Sequence, residues 1–332
     1  LGVILLEGVE VMEKRRFGLF LFVAAGITSG ALCSSGGAAV PLQLKLAKGK
    51  TYYQRTMVDQ HITQTVMNQQ QVIDITIGMG MKLDVLDVDA TGNTRIRYTF
   101  NWCMSKQTGP MATLSYDSAQ QATPPAGMES LAALLNQSYV IKLSPKGRVL
   151  DVNGVEQVKA AVQKKLPPGA DTGPMGNVAA TFLDKQGVKE MTEGVMAVYP
   201  DKPVEPGQSW SEKRVLTMGF GRIEESKWTL QKQEAGIATI GQTSTIRSNP
   251  DAPPLDAQGM KLRFDVSGSH EATIRIVEAT GLIQMDQGRQ QLKGEIKVGD
   301  SAQGQPMMAI PMIFDTNSKV EMSEKMWEPA AK

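Results

Sequence analysis

Histidine and cysteine are scarce: the 332 residues hold two of each. Two cysteines build neither a disulfide-rich scaffold nor a four-thiolate zinc site, and two histidines leave little for a histidine-based metal centre. An excess of one charge sign is also missing, with 35 Lys and Arg against 34 Asp and Glu. Nucleic-acid and polyanion binding draw affinity from clustered surplus cations, so no nucleic-acid partner is expected. Hydrophobic residues make up 41% and charged residues 21%, too polar for a multi-span membrane protein and ordinary for a folded domain. Catalytic signatures are absent too. There is no Gly-x-Ser-x-Gly elbow, no glycine loop ending in Lys-Ser or Lys-Thr, no His-Glu-x-x-His and no Cys-x-x-Cys. The sequence therefore assigns no catalytic, cofactor-binding or metal-binding residue, and no cofactor is expected.

What is present begins with an address. Glu13, Lys14, Arg15 and Arg16 precede an apolar run from Phe17 to Ile27 and then small residues from Thr28 to Ala39. That order is the one of a secretory signal peptide, and the apolar run is too short for a comfortable membrane span. Met12 stands before the charged flank, so Leu1 to Val11 reads as an over-extended start. Cleavage is expected after Cys33 or after Ala39. Cys33 raises a second reading, a lipidated N-terminus, although Gly30 and Leu32 occupy the places where a leucine and a small residue usually stand. The expected location is periplasmic or extracellular, anchored to a membrane only if Cys33 carries lipid, with no transmembrane domain in the mature chain. Cys103, between Trp102 and Met104, then reads as a small buried hydrophobe.

The body reads as strands. From Ile73 to Val85 every odd position is apolar while most even positions carry Asp, Thr, Gly or Lys, which requires one buried face and one exposed face. Asp89 to Asn93 supplies turn residues, and Ile96, Tyr98 and Phe100 resume the alternation, so a hairpin is expected. Val58, Ile62 and Val66 share one parity, interrupted by Gln60 and Gln64, and place a strand from about Thr51 in the same sheet. A second set follows: strands around Trp228, Ile237, Leu262 to Ile276, Leu282 to Met285, Leu292 to Val298 and Met308 to Met322. The turn phrases Val88 to Gly92 and Val277 to Gly281 echo each other, an echo that either duplication or plain hairpins produce. Short helices are expected over Met128 to Asn136 and Val155 to Leu166, and a pair over Asn177 to Leu183 and Val188 to Val198 broken at Gly187. The fold class is α+β, mainly antiparallel β, with curved sheets and short central helices. After residues 1–39 the chain divides into an N-terminal β lobe with helices, 40–170, and a C-terminal β lobe, 171–332, or forms one continuous domain.

Individual residues point to few chemistries. His61 lies in the first strand and His270 beside Ser269 and Glu271, far apart and without a third ligand. Gly78 and Gly80 sit in an uninterrupted strand pattern, which reads as a crowded sheet face where no side chain fits. Asp84 and Glu278 have no spacing that specifies a glycosidase pair, and Asp87 to Asn93 is too short for an EF-hand loop. There remains the apolar face Ile73, Ile75, Ile77, Met79, Met81 and Leu83, in a chain with nineteen methionines. Flexible thioethers fill irregular cores and also line adaptable grooves. One reading is noncatalytic binding of a lipid, another apolar ligand or an envelope protein. A second is an assembly scaffold of the cell envelope acting through sheet edges, and a third an enzyme with a dispersed active site.

Gly49 to Tyr52 opening the first strand, the export signal, and the phrase from Ile141 to Gly154 resemble a family of uncharacterised exported bacterial β-rich proteins. The likeness runs from about Leu42 to Lys325 and supplies no active site. A more remote likeness, to envelope lipoprotein carriers, rests on overall patterning.

Overall fold

The computed structural model describes residues 39–110, 113–166, 183–257, 260–300 and 306–327. The signal segment, Cys33 and residues 177–182 of the expected helix pair lie outside the described residues. The described chain is mainly antiparallel β with three short helices. Strands β1 (Thr51–Val66), β2 (Gln69–Val88) and β3 (Thr94–Thr108) form a meander, and β4 (Thr113–Asp117) adds to the end of β3. Helix α1 (Glu129–Ala133), β5 (Ser138–Leu143), β6 (Val149–Asn153), α2 (Val155–Lys165) and α3 (Lys185–Met196) follow. The chain ends with β7 (Ser209–Leu216), β8 (Arg222–Glu234), β9 (Ile237–Ser248), β10 (Leu255–Ala257), β11 (Met260–Val277), β12 (Ile283–Asp300) and β13 (Pro306–Ser323). One sheet takes the order β6-β5-β3-β2-β1-β13-β12-β11-β9-β8-β7. Its middle joins the two halves of the chain, because β1 pairs with β13 from Tyr53 opposite Ser323 to Gln64 opposite Met312.

Three elements differ from the alternation pattern, each for a local reason. β12 is one strand rather than two, since Asp286, Gly288 and Gln290 stand on the apolar side between Ile283 and Leu292 and hide its continuity. β4 lies inside the stretch from Gln107 to Gly127, whose Gly109-Pro110 and Pro124-Pro125 read in the sequence as a loop. α3 runs through Gly187, because Asp184 caps the helix by accepting the Gly187 N–H at 2.7 Å.

The sheet curls toward one face. Arg148, beside β6, meets Glu212 of β7 at 2.5 Å, although these strands terminate opposite ends of the path. α3 fills the seam: the Val149 N–H donates to the Glu193 carboxylate at 2.9 Å, and Arg214 of β7 donates to the Glu193 carbonyl at 3.4 Å. Farther along, Glu190 accepts the Thr217 N–H at 2.9 Å and hydroxyl at 2.6 Å and the Met218 N–H at 2.8 Å. A helix thus closes the curl where strand pairing does not. The segment Leu42 to Leu46 crosses one end of the curl, with the Leu44 N–H on the Pro145 carbonyl and the Lys45 N–H on the Thr280 carbonyl, both at 2.7 Å.

Two apolar clusters fill the inner face. The larger joins Leu42, Leu44, Leu83, Ile96, Ile141, Trp228 and Ile274 to Leu131, Val158 and Val188 of the helices. The smaller gathers Ile62, Ile73, Val266, Leu292, Ile310 and Phe314 toward the far ends of the strands. Phe220, in the β7–β8 turn, folds over it and stacks on Phe264 with centroids 5.2 Å apart. Among the described residues no helix is long and apolar enough to cross a membrane.

Candidate functional site

Between the clusters the inner face changes character. Three cross-strand rows run over β2, β1, β13, β12 and β11: Ile75, Gln60, Thr316, Gln290 and His270; then Ile77, Val58, Ser318, Gly288 and Ala272; then Met79, Thr56, Val320, Asp286 and Ile274. Ile75, Ile77, Met79 and Val58 are half-buried, as are Thr316, Ser318, Gln290, Asp286 and His270. On the inner face beyond the patch, Ile62, Ile73, Phe314 and Leu292 are buried on one side, and Met81, Leu83 and Met322 on the other. Ile75, Ile77, Met79 and Val58 thus keep partial exposure between rows that are closed, while Ala272, Gly288, Ile274 and Val320 beside them are buried. The β1–β2 wall of this patch is mostly apolar, and its β13–β12–β11 wall is mostly polar.

The polar wall is short of partners. Gln60 Nε2 donates to Thr316 Oγ1 at 3.1 Å. The side chains of Asp286, Gln290, Ser318 and His270 have no hydrogen-bond partner among the described residues. Asp286 lies between Val320 and Ile274 in the register, and burial pushes its carboxyl up to about 6. His270 leans along the face so that its Nε2 occupies the space a side chain on Gly288 would need. Burial holds its imidazole below the ordinary value, with Arg214 adding to that effect and Glu224 and Glu271 opposing it.

Next to this wall lies a buried polar network that leaves the Arg214 Nε without a partner. Arg214 pairs with Glu224 at 3.4 Å, Ser226 Oγ donates to Glu224 at 3.0 Å, the Ser226 and Ser244 hydroxyls meet at 2.8 Å, and Gln242 donates to Ser244 at 3.1 Å. His270 stands opposite Ser244 in the register without bonding to it, so the contact that activates a hydroxyl nucleophile is not made.

The expected ligand face is divided by burial. Ile75, Ile77 and Met79 are half-buried, Ile75 packed against the smaller cluster and Met79 against the larger, whereas Met81 and Leu83 are buried members of the larger cluster and Ile73 of the smaller. Ser269 and Glu271 are exposed on the face opposite His270, as is His61, whose Nδ1 lies 2.7 Å from Asp74. Asp84 is taken by the Thr51 hydroxyl at 2.7 Å and Lys82 at 3.0 Å, while Glu278 accepts from Gln233 at 3.2 Å. Side chains on Gly78 and Gly80 would strike Trp102, so the crowded face is real. Cys103 is buried and burial pushes its thiol up to about 11. Asp286, His270, Gln290 and Ser318 had no motif. Their signal is the set of gaps in the alternation of β1, β11, β12 and β13, gaps that strand pairing aligns.

These features define a class: an antiparallel sheet curled on itself, helix-sealed, with an amphipathic inner patch. Residues 91–283 match the Family of unknown function (DUF6263), and the chain belongs to that family. No curated protein matches it in sequence. Among solved structures it is similar to lipovitellin, from a study of lipid–protein interactions, at 9% identity and TM-score 0.46, over 86% of this chain and 26% of that one. This chain thus spans about a quarter of the lipovitellin chain. It is also similar to OccK7 (OpdD) of Pseudomonas aeruginosa, at 6% identity and TM-score 0.23, over 83% of this chain and 99% of that one. Both scores are below 0.5, too low for either likeness to bear on ligand or activity.

Proposed function

We propose that the protein is an exported, noncatalytic binder that holds an apolar or amphipathic ligand against the inner patch. The observation that carries this is the half-burial of Ile75, Ile77, Met79 and Val58 inside the curl, next to rows that are closed. Apolar surface left open within a fold is unfavourable at about 25 cal/mol per Å² and is covered when a ligand binds. Scaffolding through sheet edges has less support. On β6, at one end of the sheet, the Val149 N–H is already taken by Glu193, and just past β7, at the other end, the Thr217 N–H is taken by Glu190. The signal-like pattern before Val40 supports a ligand met in the envelope or outside the cell.

Native mass spectrometry of the mature protein, purified gently from the envelope and paired with organic extraction, tests this. The expected result is a stoichiometric apolar adduct released only on denaturation. Ile77→Lys, which puts a cation on the patch, is expected to lose the adduct while keeping the wild-type circular dichroism spectrum. A bare chain across repeated gentle preparations would rule out a stable carrier.

A further inference from the structure

We propose that the inner patch selects an amphipath with a protonated amine head, which Asp286 receives while the apolar part lies on Ile75, Ile77 and Met79. This rests on the binding role proposed above and names the ligand's chemistry. Asp286 sits inside the curl, with Val320 and Ile274 as its cross-strand neighbours, and its carboxylate makes no hydrogen bond or ion pair to any described residue. This half-buried carboxylate has no cation or set of donors of its own. Thr316, Ser318 and Gln290 present neutral hydrogen-bonding groups on the same wall, and no Lys or Arg stands in the three rows. An anionic head would meet Asp286 with like charge, and a wholly apolar ligand would leave the polar wall dry and unpaired. An ammonium supplies both a counter-charge and donors, while Ile75, Ile77 and Met79 accept the chain three strands away.

Burial is the sole cause of the shift at Asp286, and no charged group faces it closely enough to contribute. The other titratable side chain of the three rows is His270, over Gly288, whose imidazole burial holds below its ordinary value. An aliphatic amine stays protonated across the range in which Asp286 titrates. Preference for the amine is therefore present above about pH 6 and fades as pH falls through that value.

The full mature chain, delipidated, is titrated calorimetrically with dodecylamine, dodecanol and dodecanoate below their micellar concentrations, at pH 8 and pH 5. At pH 8 dodecylamine is expected to bind about tenfold tighter than dodecanol, the worth of one charge-assisted hydrogen bond, with dodecanoate weakest. In Asp286→Asn the amine's affinity falls to that of the alcohol, and at pH 5 the wild-type preference shrinks in the same way. Glu295→Gln, an exposed carboxylate paired with Lys297, controls for general surface attraction and is expected to keep the preference. Equal binding of amine and alcohol, or a preference that survives in Asp286→Asn, overturns the amine assignment and leaves the carrier reading standing. Binding of none of the three overturns both.

Discussion

Asp286 links the chemistry of the patch to the stability of the fold. Its folded-state pKa, about 6, is above the unfolded value of 3.8, so the folded state holds its proton more tightly. The stability this brings is complete below the unfolded value and is lost as pH rises through about 6. Two pH units correspond to about 3 kcal/mol, reduced to about 2 because the side chain is partly exposed. Asp286→Asn is therefore expected to melt higher than the wild type at pH 8 and level with it at pH 4, in scanning calorimetry of the ligand-free protein. A parallel test concerns Gly288, whose missing side chain is the space His270 Nε2 fills. Gly288→Ala is expected to cost about 1–3 kcal/mol, most of it recovered in a His270→Ala background, in a double-mutant cycle read by urea unfolding.

At the scale of elements, α3 does work that a strand pair does elsewhere in the sheet. Burial opposes ionisation of Glu190, but hydrogen bonds from Thr217, Met218 and Gln186 outweigh it and hold the carboxyl below its usual range. That stabilisation is present above the unfolded value of 4.5 and is lost as pH falls through the lower folded one. Glu190→Ala leaves the Thr217 and Met218 donors without their acceptor and is expected to cost about 2–4 kcal/mol. Hydrogen exchange is expected to speed up in α3 and in the 217–221 turn before it does in β1 or β13. None of this was legible in the sequence, where the helix pair is expected to break at Gly187 and Glu190 carries no motif. Period-two patterning does reveal β2, β3, β8, β9 and β11, because their buried faces are continuous over most of their length. It loses β12 at Asp286 and weakens β1 at Gln60, the positions where the inner face turns polar. The residues that blur the strands are those that line the candidate site, and only register, a nonlocal property, shows that they are adjacent.

At the scale of the whole molecule, the curl depends on contacts between parts of the chain that sequence patterning treats as separate. The Leu42 to Leu46 strap is held between the Pro145 carbonyl and the 278–281 turn, and its three leucines are 2–4% exposed. Gly281 makes this fit possible twice over. Its φ of 68° lies in the left-handed region, and a Cβ there would strike the Gln43 carbonyl, a backbone atom with no rotamer to yield. Gly236 shares the first property, with φ of 77°, but has nothing within 4 Å of where its Cβ would stand. The two glycines therefore separate backbone strain from closure. Gly236→Ala is expected to cost about 1 kcal/mol, the strain of a left-handed non-glycine residue. Gly281→Ala is expected to cost about 3 kcal/mol or more, since it also displaces the strap and uncovers the leucines. The difference has a signature beyond stability. Under native conditions Gly281→Ala is expected to bind more of an environment-sensitive apolar dye than Gly236→Ala, with faster hydrogen exchange confined at first to residues 42–46. Equal dye binding by the two variants would mean that the strap is not what closes this end of the curl.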